Sequence, residues 1–269
     1  MTVVIPRLLT APAVVLIVRP RDSQNAEVLA ELLVERREED PFDGRGGSQD
    51  RKLTLRYILV GGCHLSPHVR KGTFHASYDS GMKTVSLTSH TLYNGAVDLT
   101  LPGLEGNGIG TYLMNVIVSW AKQFSTDTMV NTITLLSVQA VGDNKERRNI
   151  FYEQFGIVFD YNDPTTRAAG KSRDMMTSAL VPREKWSSNI VEQDVAEYVR
   201  ERNLACKKAE ERARLADEEV ERLRRVLTEE RIGMAKSCRK RVRQLAVRFI
   251  LGAAVAGMAV AWVTSRAFF

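Results

Sequence analysis

Cysteine is scarce. The chain has three in 269 residues, Cys63, Cys206 and Cys238, and no Cys-x-x-Cys pair. A disulfide framework is thereby excluded, and the spacing fits a reducing compartment. Nor is the N-terminal run expected to be a secretory leader. Arg7 precedes an apolar run over 8–18, but Pro12 breaks it, and Arg-Pro-Arg-Asp stands where small residues would mark a cleavage site. That run reads as a strand. Acidic residues are absent from 231–269, which holds eight Lys or Arg, so this tail carries +8 and the rest of the chain −2 of the net +6. A charge so localised argues against nucleic acid as the partner of the whole protein. Glycine and proline are missing from 189–232, which leaves nothing there to break a long helix.

What is present centres on residues 99–111, where a strand runs into Gly106, Gly108 and Gly110 and then into an amphipathic helix expected over 111–124. Closely spaced glycines let the backbone approach a ligand, and the bare N–H groups of a helix start attract phosphate. Several folds share such a turn. A dinucleotide-binding unit needs an acid at a strand end about 20 residues on, and here Asp127 sits in a polar loop. A Walker loop needs a lysine, and the turn ends Gly-Ile-Gly-Thr. Around the turn, strands are expected over 13–18, 53–60, 72–78, 83–89 and 96–101, in an antiparallel meander. Apolar spacing predicts a helix over 26–35. Further on, strands are expected over 132–138, 157–161 and 172–181. A helix is expected over 143–155, stopped by Gly156.

Two motifs carry a resemblance. Glu105, Gly106, Asn107, Gly108, Ile109 and Gly110 fit the pattern Gln/Arg-x-x-Gly-x-Gly/Ala, with Glu105 at its first position. Asn144, Phe151, Tyr152, Gly156 and Ile157 follow in the order of a second signature, Asn…Phe/Leu-Tyr-Glu-x-x-Gly-Phe. Over 13–181 the chain resembles the GNAT superfamily of acyl-CoA-dependent N-acyltransferases. The resemblance implies an α+β fold, with a mixed, mostly antiparallel twisted sheet flanked by helices. It also implies acetyl-CoA as cosubstrate, an amine of unidentified structure as acceptor, and no metal. By resemblance, backbone groups of Leu99 and Leu101 hold the pantetheine arm. The turn from Glu105 through Gly106, Asn107, Gly108, Ile109 and Gly110 to Thr111 binds the diphosphate, Asn144 contacts the carrier, and Tyr152 is the general acid. Asp98 and His90 are the candidates for a base, with nothing in the sequence to choose a mechanism for either. A carboxylate at 105 weakens diphosphate binding unless it turns outward or pairs with a neighbour such as Arg147 or Arg148. Cys63, His64, His68 and His75 lack the spacing of a zinc site.

Beyond Pro182, which closes the expected catalytic domain at 1–182, a helix is expected to start at Asn189. Heptads place Val199, Cys206, Ala213, Val220, Leu227 and Met234 at a, and Val195, Arg202, Ala209, Ala216, Leu223 and Glu230 at d. Nine of these twelve are apolar and one is cysteine, which predicts a coiled-coil stalk over 189–244 in a parallel homodimer. The uncharged run of 17 residues over 249–265 follows a basic cluster at 239–243. Together they predict one transmembrane helix over 245–265, a C-terminal tail anchor in a membrane with the catalytic domain cytoplasmic. The runner-up reading is a GNAT-fold binding or scaffold protein with weak or no CoA binding, working through its coiled coil and anchor.

Overall fold

A computed structural model describes residues 12–21, 27–39, 50–62, 71–89, 101, 103–140 and 142–267. They form two units, Met1–Arg200 and Glu201–Phe269. The first unit is built on an eight-stranded sheet that is antiparallel at every pairing but one. β1 (Ala13–Val18), β2 (Ala30–Glu39), β3 (Arg51–Gly61), β4 (Lys71–Asp79) and β5 (Thr84–Ser86) follow one another in sequence and in space. β-Branched and leucine-rich runs favour this arrangement. Leu16, Leu32, Leu55 and Phe74 come from four consecutive strands and are all buried.

Onto this sheet packs α1 (Ile109–Ala121), burying Leu113, Ile117, Val118 and Trp120. Side chains of that size gain roughly 1.5–3 kcal/mol each on full burial. The helix ends at Lys122, whose ammonium donates to the carbonyls of Leu180 at 2.9 Å and Ser178 at 3.1 Å. β6 (Met129–Val130) then lies parallel to β5, and β10 (Met175–Met176) closes that edge. A smaller sheet joins β7 (Thr134–Leu135), β9 (Gly170–Ser172) and β8 (Phe159–Tyr161). Between β7 and β8 runs α2 (Asn144–Glu153), which Gly156 terminates at φ +84°.

Four local expectations change. The helix expected over 26–35 is instead β2, held between β1 and β3, with Ala30, Leu32 and Val34 buried at strand spacing. The strand expected over 132–138 shrinks to β7 before a 3-10 turn at Ser137–Gln139. Similarly, the one over 172–181 breaks into β9, β10 and a 3-10 turn at Thr177–Ala179. The chain also does not leave the sheet at Pro182. β11 (Ile190–Asp194) pairs antiparallel with β1, so the long helix α3 (Val195–Ala267) starts after Asp194 and not at Asn189. Asp194 Oδ1 caps α3 by accepting from the amides of Ala196 (2.8 Å) and Glu197 (3.1 Å).

A fifth correction is larger. Among the described residues no helix is long and apolar enough to cross a membrane. That overturns the transmembrane helix expected over 245–265, and with it the tail anchor, the single-pass membrane localisation and the cytoplasmic placement derived from it. Arg248 divides the stretch, and the uncharged run after it whose side chains are described is 249–254, far short of the roughly 20 residues a bilayer needs.

Candidate active site at the glycine turn

The one parallel pairing among the described residues positions the site. β5 leads the chain out, α1 brings it back, and β6 runs beside β5 in the same direction. A crossover of this kind sets the helix N-terminus toward the carboxyl ends of the strands, where open α/β sheets bind ligands. The turn occupies that place. Gly103, Gly106 and Gly108 take φ of +84°, +79° and +84°, a region costly to any residue with a Cβ. Gly110 is already helical.

Hydrogen bonds within the turn show which groups it keeps for itself. Leu104 N–H donates to Leu101 O at 3.0 Å, and Asn107 N–H to Leu104 O at 3.4 Å. Asn107 Nδ2 donates back to the carbonyls of Leu104 and Glu105, both at 3.3 Å. The exposed Glu105 carboxylate does not meet Arg147 or Arg148: its Oε2 accepts from Gly103 N–H at 2.6 Å. Arg148 is engaged elsewhere, donating to Leu136 O at 2.8 Å and Ala168 O at 2.9 Å. At the helix start no side chain caps α1, and its first turn holds no acid. The amides of Ile109, Gly110 and Thr111 have no acceptor within the helix, which is the arrangement that attracts an anion.

Two walls of the turn differ. A Cβ built on Gly106 meets nothing within 4 Å, whereas one on Gly108 meets Arg21 Nη2 at 3.4 Å and the Trp186 backbone at 3.5 Å. Trp186 stands edge-on to Tyr112 of α1, with ring centroids 4.9 Å apart. Burial and the neighbouring Glu192 raise the Tyr112 phenol well above its usual range. Asn189 ties three segments together, since its Nδ2 donates to Asn107 O and Arg19 O, both at 2.9 Å. Sequence reasoning missed Arg21, Trp186 and Asn189 as neighbours of the turn. The first had a signal in Arg-Pro-Arg just past β1; the other two lie beyond Pro182, where the globular part was expected to have ended.

Tyr152 is buried in α2 and packs its ring against Phe151 and Phe159, at centroid distances of 5.1 and 5.7 Å. Burial pushes its pKa up to about 12, with Arg148 pulling the other way. Its helix reaches the turn through Gln154, whose Nε2 donates to Thr111 Oγ1 at 3.3 Å. Asn144 does not join them. It sits at the opposite end of α2, roughly 15 Å away by helix rise, and its Nδ2 donates to Gln139 O at 2.8 Å. Leu101 is buried beside the turn, while Asp98, Leu99 and His90 lie outside the described residues. So do Cys63, His64 and His68; among the described residues no three His, Cys, Asp or Glu side chains gather where a metal could sit.

The structure therefore brings together Leu101, Glu105, Gly106, Asn107, Gly108, Ile109, Gly110 and Thr111, with α2 adjoining through Gln154. Compared with protein-family models, with curated proteins and with solved structures, the chain matches none of them.

Proposed function

We propose that the first unit is an acyl-CoA-dependent N-acyltransferase acting on an amine, with acetyl-CoA as cosubstrate. The observation that carries this reading is the left-handed glycine turn opening onto the uncapped, acid-free N-terminus of α1, within the one parallel crossover of the sheet. The donor set fits a diphosphate: main-chain amides of 109–111, open space over Gly106, and the Arg21 guanidinium beside Gly108. The thioester of acetyl-CoA would supply the activated acyl group. The amides of Ile109, Gly110 and Thr111 would hold the carrier's anionic end. Tyr152, kept protonated by burial to a pKa of about 12, would hold the proton that a departing thiolate needs.

Calorimetry with acetyl-CoA on the full chain tests the reading. Micromolar binding that weakens with salt is the expected result, and no detectable heat at millimolar acetyl-CoA would overturn it. A truncation at Pro182 is unsuitable, because it removes β11 and its pairing with β1.

One observation favours a second reading. Glu105 places a carboxylate in the turn and occupies the Gly103 amide, which is what a fold that keeps its glycine turn but binds no diphosphate would tolerate. On that reading the first unit is a GNAT-like binding or scaffold module, with α3 as the working part. The same titration separates the two.

A further inference from the structure

We propose that α3 pairs along its heptad seam with a second copy of this chain, parallel and in register, over Cys206 to Met234. In the second unit the seam is solvent-facing: Val220, Leu223, Leu227 and Met234 are between 46% and 64% exposed. A long helix draws its stability from packing an apolar stripe rather than from propensity, so a stripe of this spacing needs a cover. The charges beside it say which cover.

With a positions at 206, 213, 220, 227 and 234, the g positions are Ala205, Arg212, Glu219 and Val226, and the e positions facing them across a parallel pair are Glu210, Asp217, Arg224 and Arg231. Parallel coils bring each g opposite the e five residues further along the partner. The pairs are then Arg212 with Asp217 and Glu219 with Arg224, both of opposite charge, and Ala205 with Glu210 and Val226 with Arg231, each with a single charge. Among these e and g pairs no like charges meet, and two-fold symmetry doubles both attractive pairs, whereas Glu230 at d faces its own copy and weakens that one layer. The remaining ion pairs flank the seam without blocking it. Arg214 bonds to Glu211 and Glu218, Arg222 to Glu219, and Arg224 to Glu221, all within one chain. Because Glu219 and Arg224 already have these in-chain partners, the pairing across the seam selects orientation more than it adds affinity. Small residues at Ala209, Ala213 and Ala216 let the two backbones approach closely, while Leu223 and Leu227 supply most of the apolar contact.

This assignment is independent of the acyltransferase reading and is tested on the full chain. Sedimentation should give a dimer at tens of micromolar. In a Cys63→Ser, Cys238→Ser background, Cys206 falls in one core layer with its copy, within the roughly 7 Å between Cα atoms that a disulfide tolerates. Diamide, which joins two thiols as it is itself reduced to the hydrazine, should convert the dimer to a covalent one through Cys206. Arg212→Glu should raise the dimer dissociation constant about tenfold, and adding Asp217→Arg should restore it. A monomer or a higher oligomer by sedimentation of the unmodified chain overturns the proposal. So does a dimer that diamide leaves uncrosslinked, which is the signature of an antiparallel pair.

Discussion

Three glycines share one backbone conformation in three different surroundings, and alanine placed at each should separate what the dihedral costs from what the space costs. Gly103, Gly108 and Gly156 all sit at φ +84°. The left-handed conformation costs an alanine about 1–2 kcal/mol, partly offset by the lower chain entropy of the unfolded alanine variant, so the shared part is about 1 kcal/mol at every site. The neighbours differ. A Cβ at Gly103 meets nothing within 4 Å; at Gly108 it meets the end of Arg21 at 3.4 Å and Trp186 at 3.5 Å; at Gly156 it meets the main-chain carbonyl of Ala179 at 3.0 Å and Val181 Cγ2 at 3.3 Å. Arg21 is a flexible side chain and can yield. The Ala179 carbonyl is backbone and cannot do so cheaply, so another 1–2 kcal/mol of overpacking is expected at Gly156. Urea unfolding followed by the fluorescence of Trp120 and Trp186 reads the series. Gly103→Ala should cost about 1 kcal/mol, Gly108→Ala slightly more, and Gly156→Ala about 2–3 kcal/mol, the last lowering the midpoint by about 1 M for a slope of 2–3 kcal/mol/M. Equal losses at Gly103 and Gly156 would refute the packing argument. The series has a functional limb as well: Gly108→Ala should weaken acetyl-CoA binding, and Gly156→Ala, once folded, should not.

Four further outcomes follow from the same structure. Tyr152→Phe should slow acyl transfer by at least tenfold while leaving acetyl-CoA affinity unchanged; unchanged turnover removes Tyr152 from the chemistry. The Tyr152 pKa of about 12 lies above the unfolded value of about 10, so its neutral-state stability is intact below pH 10 and lost as pH climbs toward 12, at up to about 1.4 kcal/mol per pH unit. Alkaline denaturation should therefore shift to higher pH in Tyr152→Phe. Lys122→Met deletes the donor that holds the Ser178 and Leu180 carbonyls, and should cost about 1–2 kcal/mol in the same urea assay. The Lys83 ammonium beside Asp127, with a hydrogen bond from Ser125, holds that carboxyl down at about 2, so this pair's contribution is present above pH 4 and fades as pH falls toward 2; Lys83→Met should flatten most of that acid limb and remove the same contribution at neutral pH, a small loss because both groups are exposed.

Much of the architecture was legible because local preference and tertiary demand agree there. β1 is a β-branched run that ends buried between β2 and β11. α1 has one apolar face and a glycine entry, and α2 carries its own stop in Gly156. β2 was misread because Ala30, Glu31, Leu32, Leu33, Val34 and Glu35 suit either element: their propensities lean to helix, while alternation fits a strand. Two neighbours decided it, since only an extended chain could satisfy the hydrogen-bonding edges of β1 and β3 together. β11 was invisible for the opposite reason. Ile190, Val191, Glu192, Gln193 and Asp194 show a single buried position, Ile190, and the strand exists because β1 offers an edge. Missing β11 also hid the site's far wall, because the segment that leads into it carries Trp186 and Asn189 onto the turn.

Glu105 shows why a motif alone could not settle the chemistry. In sequence it is a carboxylate at a position facing a phosphate site, which reads as repulsion. In the fold it is also the acceptor for Gly103 N–H, so it stabilises the left-handed entry to the turn while raising the electrostatic cost of what the turn would bind. The two effects can be pulled apart, because glutamine keeps an acceptor for that amide and drops the charge. If the turn receives a diphosphate, Glu105→Gln should tighten acetyl-CoA binding severalfold at low ionic strength, with the gain shrinking as salt screens it, and should leave stability nearly unchanged. If the turn only anchors α1 in the sheet, the substitution should alter neither affinity nor its salt dependence, and the glycines would then serve the crossover between β5 and β6 and nothing else.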